Sequence, residues 1–157
     1  QELVNHIYSE IFNNPDSSIR LVFNSGVFSY ILKSRWFNPE FLDYHDSEGN
    51  NCLFLALELE DQKQNKELVE DILNLEYCDE RLVNDINDYG DNCLIHAYKN
   101  NAISSLKCII ESNWCNEKLV RKFMEENGKI NNKEISDIIK TKYPEIYSRY
   151  KSSCVVM

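Results

Sequence analysis

The chain has 157 residues, a length that fits one domain with a substantial buried core. Its formal net charge of −9 disfavours contact with phosphate backbones, so we expect no nucleic-acid partner. No apolar run is long enough to span a bilayer, and nothing resembles a secretory signal. The six cysteines include no Cys-x-x-Cys pair, which favours reduced thiols in a cytoplasmic protein and gives no reason to expect a metal or another cofactor.

The first predicted element is a helix near the N-terminus. Apolar residues between Glu2 and Phe12 recur at spacings of three and four, which places them on one helix face. We assign residues 1–16 to an N-terminal capping helix. The sequence opens with Gln1 rather than Met, so a longer protein with a further part upstream stays open as an alternative.

An internal repeat follows. The segment 49–53 (GNNCL) resembles the segment 90–94 (GDNCL), which lies 41 residues further along. The apolar pair 72–73 has a counterpart in 109–110 after 37 residues, and we interpret the difference as an insertion in the polar stretch 58–66. Self-similarity at such periods is typical of repeat architectures.

Each copy of the repeat predicts two short helices. Apolar residues at spacings of three and four, such as Leu68 and Ile72, indicate a helix that packs on one face. A corner with an aromatic residue follows the second helix, at Trp36, Tyr77 and Trp114. One hairpin cannot bury its own apolar face but stacked hairpins can, so we predict an all-α solenoid over residues 17–127. We interpret the aromatic column as core between repeats, with a ligand-stacking platform as the alternative.

These residues resemble the ankyrin repeat family. Its pattern is an Asp, a turn Gly and then Thr-Pro-Leu-His-x-Ala at the start of the first helix. The matching positions in the better copy are Asp88, Gly90, Leu94, His96 and Ala97, and those in the weaker copy are Asp46, Gly49, Leu53 and Ala56. Asn-Cys replaces the usual Thr-Pro, and the units are longer than those of the family. The resemblance implies an ankyrin-like helical-hairpin solenoid of about three repeats that binds another protein.

The C-terminal region predicts a cap and then a tail. Apolar residues in 135–139 mark one helix, and Pro144 begins a further turn. We assign residues 128–150 to C-terminal capping helices and residues 151–157 to a flexible tail. Between Lys129 and Lys151 basic residues exceed acidic ones by three, in contrast to the acidic body.

The last four residues, Cys154-Val155-Val156-Met157, form a C-a-a-X box. This box resembles the C-termini of farnesylated Ras-type GTPases, and Met in the last position favours farnesyl over geranylgeranyl. We expect lipidation of Cys154 by a prenyltransferase, with the segment 147–153 extended and accessible to that enzyme. One lipid chain gives marginal membrane binding, so the basic tail residues supply a weak second attraction. The alternative is an incidental cysteine in a frayed tail.

Catalysis is not expected. The chain holds no G-x-S-x-G elbow, P-loop or H-E-x-x-H motif. His96 is the most tempting catalytic residue, but the ankyrin resemblance implies that it hydrogen-bonds neighbouring backbone and ties adjacent repeats together. A Cys-His pair of Cys93 with His96 stays open, although packing is the simpler role for a cysteine that recurs with the repeat.

We therefore predict a protein–protein interaction module, an adaptor or scaffold, that farnesylation targets to a cytoplasmic membrane leaflet. It would present loop tips and a concave helix face to a partner with basic character, and no small-molecule substrate is expected. The predicted contact residues are polar turn residues that we expect to be exposed and dispensable for packing: Asp46, Ser47, Glu48, Asn50, Asp88, Tyr89 and Asp91. Two alternatives remain, a non-catalytic targeting domain of a larger enzyme or effector with its active part upstream, and a purely structural array with a spurious lipid box.

Overall fold

The structure, a computed structural model, describes residues 2, 5, 6, 9, 22–23, 26–35, 37–128 and 130–153. The fold class of this part is all-α, as predicted. From residue 26 onward the described ranges hold these α-helices: α1 Val27–Leu32, α2 Cys52–Leu57, α3 Gln62–Leu73, α4 Glu80–Val83, α5 Cys93–Lys99, α6 Ile103–Glu111, α7 Glu117–Asn127, α8 Lys133–Lys142 and α9 Pro144–Ser153. A 3-10 helix, Pro39–Asp43, lies between α1 and α2.

Asparagine and aspartate begin most of these helices. In each case the side-chain oxygen accepts a hydrogen bond from a backbone N–H of the first turn, which otherwise has no partner inside the helix. The capping residues are Asn51, Asp61, Asp79, Asn92, Asn116 and Asn132. Each cap of this kind contributes about 1 kcal/mol, which matters for helices as short as α2 and α4.

The helices pack in two layers. In one layer α2 lies beside α5, and α5 lies beside α7. In the other layer α1, α3, α6 and α8 follow one another, and the hairpins α2/α3 and α5/α6 connect the two layers. The last helix, α9, packs against both α7 and α8.

The helix α2 is buried on every side. Each residue of Cys52–Leu57 is at most 2% exposed, which fits a six-residue stretch with no polar side chain. The expectation of an open concave helix face is therefore wrong at α2. On α5, His96 and Tyr98 are half-buried and Lys99 is exposed, so the layer of α2 and α5 offers little helix surface to a partner.

The extra residues of the first hairpin mostly lengthen its second helix. α3 has 12 residues where α6 has 9. Asn65, buried in α3, donates a hydrogen bond of 3.0 Å to the Leu57 carbonyl and accepts one from the Ser105 hydroxyl of α6. The insertion predicted in 58–66 thus includes a polar contact that ties α3 to the end of α2 and to α6.

The third copy departs from the second after its corner. The corner after α3 leads into the four-residue α4 and then a turn, whereas the corner after α6 leads into α7, which continues for 11 residues. α7 occupies the place beside α5 in its layer. An amphipathic sequence, with Leu119, Val120, Phe123 and Met124 buried, allows the longer helix to do so.

The predictions for the two chain ends have different outcomes. The N-terminal capping helix, residues 1–16, lies largely outside the described residues, although residues 2, 5, 6 and 9 are helical. At the other end the expectation of an extended segment 147–153 is wrong, because α9 continues to Ser153. Trp36 of the aromatic column and residues 154–157 lie outside the described part.

Candidate interaction site at the loop tips

Two turns between helices share one geometry, and we call residues 46–50 tip 1 and residues 87–91 tip 2. In tip 1, Asp46 Oδ1 accepts from the backbone N–H groups of Glu48 (2.9 Å) and Asn50 (2.8 Å). In tip 2, Asn87 Oδ1 accepts from the N–H groups two and four residues on, at 3.2 and 3.0 Å. Asp46 therefore corresponds to Asn87, not to Asp88 as the family pattern suggests.

Gly49 and Gly90 each give their tip a residue with a left-handed backbone conformation. Their φ angles are 74° and 81°, a conformation that costs other L-residues about 1–2 kcal/mol. The surroundings of the two differ. A Cβ on Gly49 would lie 2.8 Å from Asp88 Oδ1, whereas a Cβ on Gly90 would meet nothing within 4 Å.

The tips are hydrogen-bonded to each other, and we call these contacts the tip ladder. The backbone N–H of Asp88 donates to the Glu48 carbonyl at 3.0 Å. Asn87 Nδ2 donates to Asn50 Oδ1, also at 3.0 Å. Both donors lie on tip 2 and both acceptors on tip 1, so the ladder has a direction.

Three of the predicted contact residues are not exposed. Asp46 is 7%, Asn50 0% and Asp91 5% exposed. Asp46 and Asn50 hold the turn and the tip ladder, while the Asp91 carboxylate accepts from Lys99 Nζ at 2.6 and 2.7 Å. The expectation that these three are dispensable for packing is wrong, because Asp46 and Asn50 hold tip 1 and its contact with tip 2, and Asp91 joins tip 2 to α5.

The other predicted contact residues lie at the surface. Ser47 and Asp88 are exposed, Tyr89 is 68% exposed and Glu48 is half-buried. The charge of Glu48, together with slight burial, a hydrogen bond to Glu48 and the carboxylates of Asp46 and Asp88, raises the pKa of Tyr89. Ile86, 47% exposed just before tip 2, was not among the predicted residues. Tip 2 and the residue before it thus present two large exposed side chains beside carboxylates.

The sequence patterns did not predict a further contact, between His45 and Asp85, which lie just before tip 1 and tip 2. His45 Nε2 lies 2.6 Å from Asp85 Oδ2, and His45 Nδ1 lies 3.0 Å from the Asp43 carbonyl oxygen. Both neighbours are acceptors, so only the doubly protonated imidazolium donates to both. Burial lowers the pKa of His45, but the hydrogen bonds and charges of Asp85 and Asp43 outweigh it and leave the pKa raised. His45 and Asp85 are 40 residues apart, which no local pattern connects.

His96 contacts a side chain rather than the backbone that the resemblance implies. Its Nε2 lies 3.2 Å from Glu58 Oε1 at the end of α2, without hydrogen-bond alignment, and its ring packs edge-on against Phe54. Both neighbours belong to the preceding hairpin, so His96 does join adjacent hairpins.

The internal cysteines pack in the core. Cys52, Cys78, Cys93 and Cys115 are buried, Cys108 is half-buried, and all five are reduced. Burial raises the pKa of each thiol, to about 11 for Cys78 and Cys108, which disfavours the reactive thiolate. Among the described residues, no three His, Cys, Asp or Glu side chains are grouped as a metal site would need.

The aromatic column has two kinds of member. Trp114 is half-buried, and its Nε1 donates to the Leu73 carbonyl at 3.2 Å, so it joins its corner to the preceding one as predicted. Tyr77 is 54% exposed, and its ring is tilted at 47° to that of Phe37, with ring centroids 6.3 Å apart. The core interpretation therefore holds for Trp114 and not for Tyr77.

The predicted lipidation site, Cys154, lies outside the described residues. None of the helices described for this chain has the length and apolar character needed to cross a membrane.

A scan against protein-family models gives no match to this chain. Searches of curated proteins and of solved structures also give none.

Proposed function

We propose that this chain is a protein–protein interaction module built from ankyrin-like helical hairpins, which farnesylation at Cys154 holds at a cytoplasmic membrane leaflet. The observation that carries the interaction role is the pair of tips. Their buried polar residues are committed to holding the turns, while Ser47, Glu48, Asp88 and Tyr89 form a surface of carboxylates around an exposed aromatic ring.

That composition favours a partner segment with basic side chains. Tyrosine supplies a large, rigid contact surface at low cost in conformational entropy, and such residues are frequent hot spots of interfaces. Carboxylates around it attract Lys and Arg, and an exposed ring also accepts a cation on its face. With α2 buried on all sides, the tips offer a partly exposed surface that two neighbouring hairpins share.

The anchoring role rests on the sequence Cys154-Val155-Val156-Met157. It requires Met157 to be the last residue that is translated. A single farnesyl chain gives weak and reversible attachment, which suits a module whose tips also bind a partner at that surface.

The anchoring test is the intact mass of the protein, expressed in a eukaryotic cell from its natural reading frame beside a Cys154→Ser variant. Farnesylation adds about 200 Da to the natural chain, followed by loss of the last three residues and carboxyl methylation. Membrane fractionation should then find the natural chain with membranes and the variant in the cytosol. An unmodified mass would overturn the anchoring role.

The interaction role is tested by cross-linking in the same cells. Asp88→Arg reverses a charge on the tips, and Glu145→Arg makes the same change at an exposed position of α9. A protein cross-linked to the natural chain should be lost with Asp88→Arg and retained with Glu145→Arg. Equal retention with both variants would contradict a partner site at the tips.

A further inference from the structure

The tip ladder has an open end on the far side of tip 2. Tip 1 offers two acceptors to tip 2, the Glu48 carbonyl and Asn50 Oδ1. At the 41-residue offset of the repeat these positions correspond to Tyr89 and Asp91. Tip 2 therefore repeats the acceptor pair of tip 1 one step further along.

No described residue supplies the next pair of backbone and amide donors. At the offset of 37 residues, the donors Asn87 and Asp88 correspond to Met124 and Glu125, which lie inside α7. The backbone N–H groups at these positions belong to the hydrogen bonding of that helix. In the part of the chain that the structure describes, the tip ladder consequently does not continue beyond tip 2.

The ammonium group of Lys99 already occupies part of the open end, where it binds Asp91. Asp91 takes the place that Asn50 has in tip 1, and its carboxylate binds Lys99 Nζ instead of an asparagine amide. Tyr89 and Ile86 stand exposed beside it, with the carboxylates of Asp88 and Glu48 near the tyrosine ring. Tip 2 thus presents the Tyr89 carbonyl and an exposed ring beside negative charge, with the Asp91 carboxylate already paired to Lys99.

We propose that the open end of the tip ladder, the side of tip 2 that faces away from tip 1, binds an extended segment of a partner protein. We call this bound segment the third rung. A backbone N–H of that segment donates to the Tyr89 carbonyl, and an Arg or Lys side chain lies against the exposed Tyr89 ring, where the negative charge of the tips attracts it. Addition of a strand to an exposed edge is an established mode of peptide recognition, with backbone hydrogen bonds for affinity and side chains for selection. This inference rests on the proposed interaction function and names the chemistry of its partner.

The test is an NMR titration of the full-length ¹⁵N-labelled chain with a capped heptapeptide of alternating Arg and Val. Three peptides are compared with it: one with Glu for every Arg, and two that carry N-methyl groups on alternate backbone nitrogens, one set each. N-methylation removes the donors of one edge and leaves the charge, so it separates a backbone rung from plain attraction between charges. Tyr89→Ser is measured beside Tyr30→Ser, which removes a similarly exposed ring, 65% against 68%, from α1.

The proposal expects the Arg peptide to shift the amide signals of Asp88, Tyr89, Gly90 and Asp91, and the Glu peptide to shift none of them. One of the two methylated peptides should bind about fivefold more weakly, the effect of one net hydrogen bond. Tyr89→Ser should weaken binding at least about threefold, and Tyr30→Ser should leave it unchanged.

Equal binding of both methylated peptides would overturn the third rung, even where Asp88→Arg abolishes binding. In that case the tips still attract basic segments and the interaction function stands without the rung. Absence of any binding by the Arg peptide also overturns the rung. The interaction function is then decided separately by the cross-linking comparison of Asp88→Arg with Glu145→Arg.

Discussion

The two boundaries between neighbouring hairpin units are built differently. At the first boundary, polar contacts add to the apolar packing of α2 against α5: the tip ladder, Asn51 and the His45–Asp85 pair. At the second boundary α5 meets α7, where Phe123 packs edge-on against Tyr98 with ring centroids 5.6 Å apart. One Asn side chain recurs at both boundaries, because Asn51 donates to the Leu82 carbonyl and Asn92 to the Leu119 carbonyl.

This difference teaches that the repeat keeps its capping asparagine while the rest of the contact changes. Where a tip is present, one backbone hydrogen bond and one between asparagine side chains add to the packing of the helices. Where α7 replaces the tip, apolar burial takes over, since the longer helix brings more apolar side chains to its neighbour. Four substitution experiments separate these two modes.

The largest effect is expected at the second boundary. Phe123→Ala removes a ring that is fully buried, and we expect it to lower the free energy of unfolding by about 4 kcal/mol. Urea unfolding followed by circular dichroism measures the change. Tyr77→Ala, which removes an exposed ring, serves as the control and should cost less than about 1 kcal/mol. Similar losses for the two would show that apolar burial does not hold α7 in place.

The recurring asparagine gives a paired comparison across the boundaries. Asn51 caps α2 and donates to both the Leu82 carbonyl and Asp85, whereas Asn92 caps α5 and donates to the Leu119 carbonyl alone. We expect Asn51→Ala to cost about 3 kcal/mol and Asn92→Ala about 2 kcal/mol, since each leaves buried partners without a bond. The same urea experiment decides the order, and a larger loss for Asn92→Ala would contradict it.

Two glycine substitutions isolate the tip ladder. Both positions have a left-handed backbone, so Gly90→Ala should cost about 1 kcal/mol from strain alone. Gly49→Ala adds a close contact with Asp88 and should cost about 2 kcal/mol, since tip 2 must move away from tip 1. Thermal unfolding of the two variants gives the difference. Equal costs would mean that the tips are not held at this distance.

The smallest effect is a pH dependence at the first boundary. The pKa of His45 is raised in the folded chain, so its contribution is fully present below the unfolded value of about 6.5 and is lost as the pH rises through the folded value. His45 and Asp85 are 43% and 32% exposed, so solvent screening keeps the effect to about 0.5 kcal/mol.

Urea midpoints of the natural chain and of His45→Gln, measured from pH 5.5 to pH 8.5, test this pair. The natural chain should lose stability relative to the variant as the pH rises. His6→Gln, a substitution at an exposed position outside this pair, provides the control variant. A constant difference between the natural chain and His45→Gln would show that the pair does not titrate in this range.

The helices were predictable because their signals are local. Capping residues such as Asn92 stand directly before the apolar runs that they begin, and spacings of three and four mark the buried face of α3 and α6. The tips were recognised from their glycines, but their division into buried and exposed residues was not. Asp46 and Asp88 have the same carboxylate and different surroundings, since only Asp46 folds back onto its own turn.

The sequence by itself determined the all-α class, the positions of the turns and the C-a-a-X box, because each depends on residues a few positions apart. The tertiary structure decided which contacts join the units. His45 meets Asp85, α7 continues where a third turn would stand, and Asn87 and Asp88 join tip 2 to tip 1. Such contacts link residues dozens of positions apart, and their energies depend on distance and burial, which are properties of the packed chain.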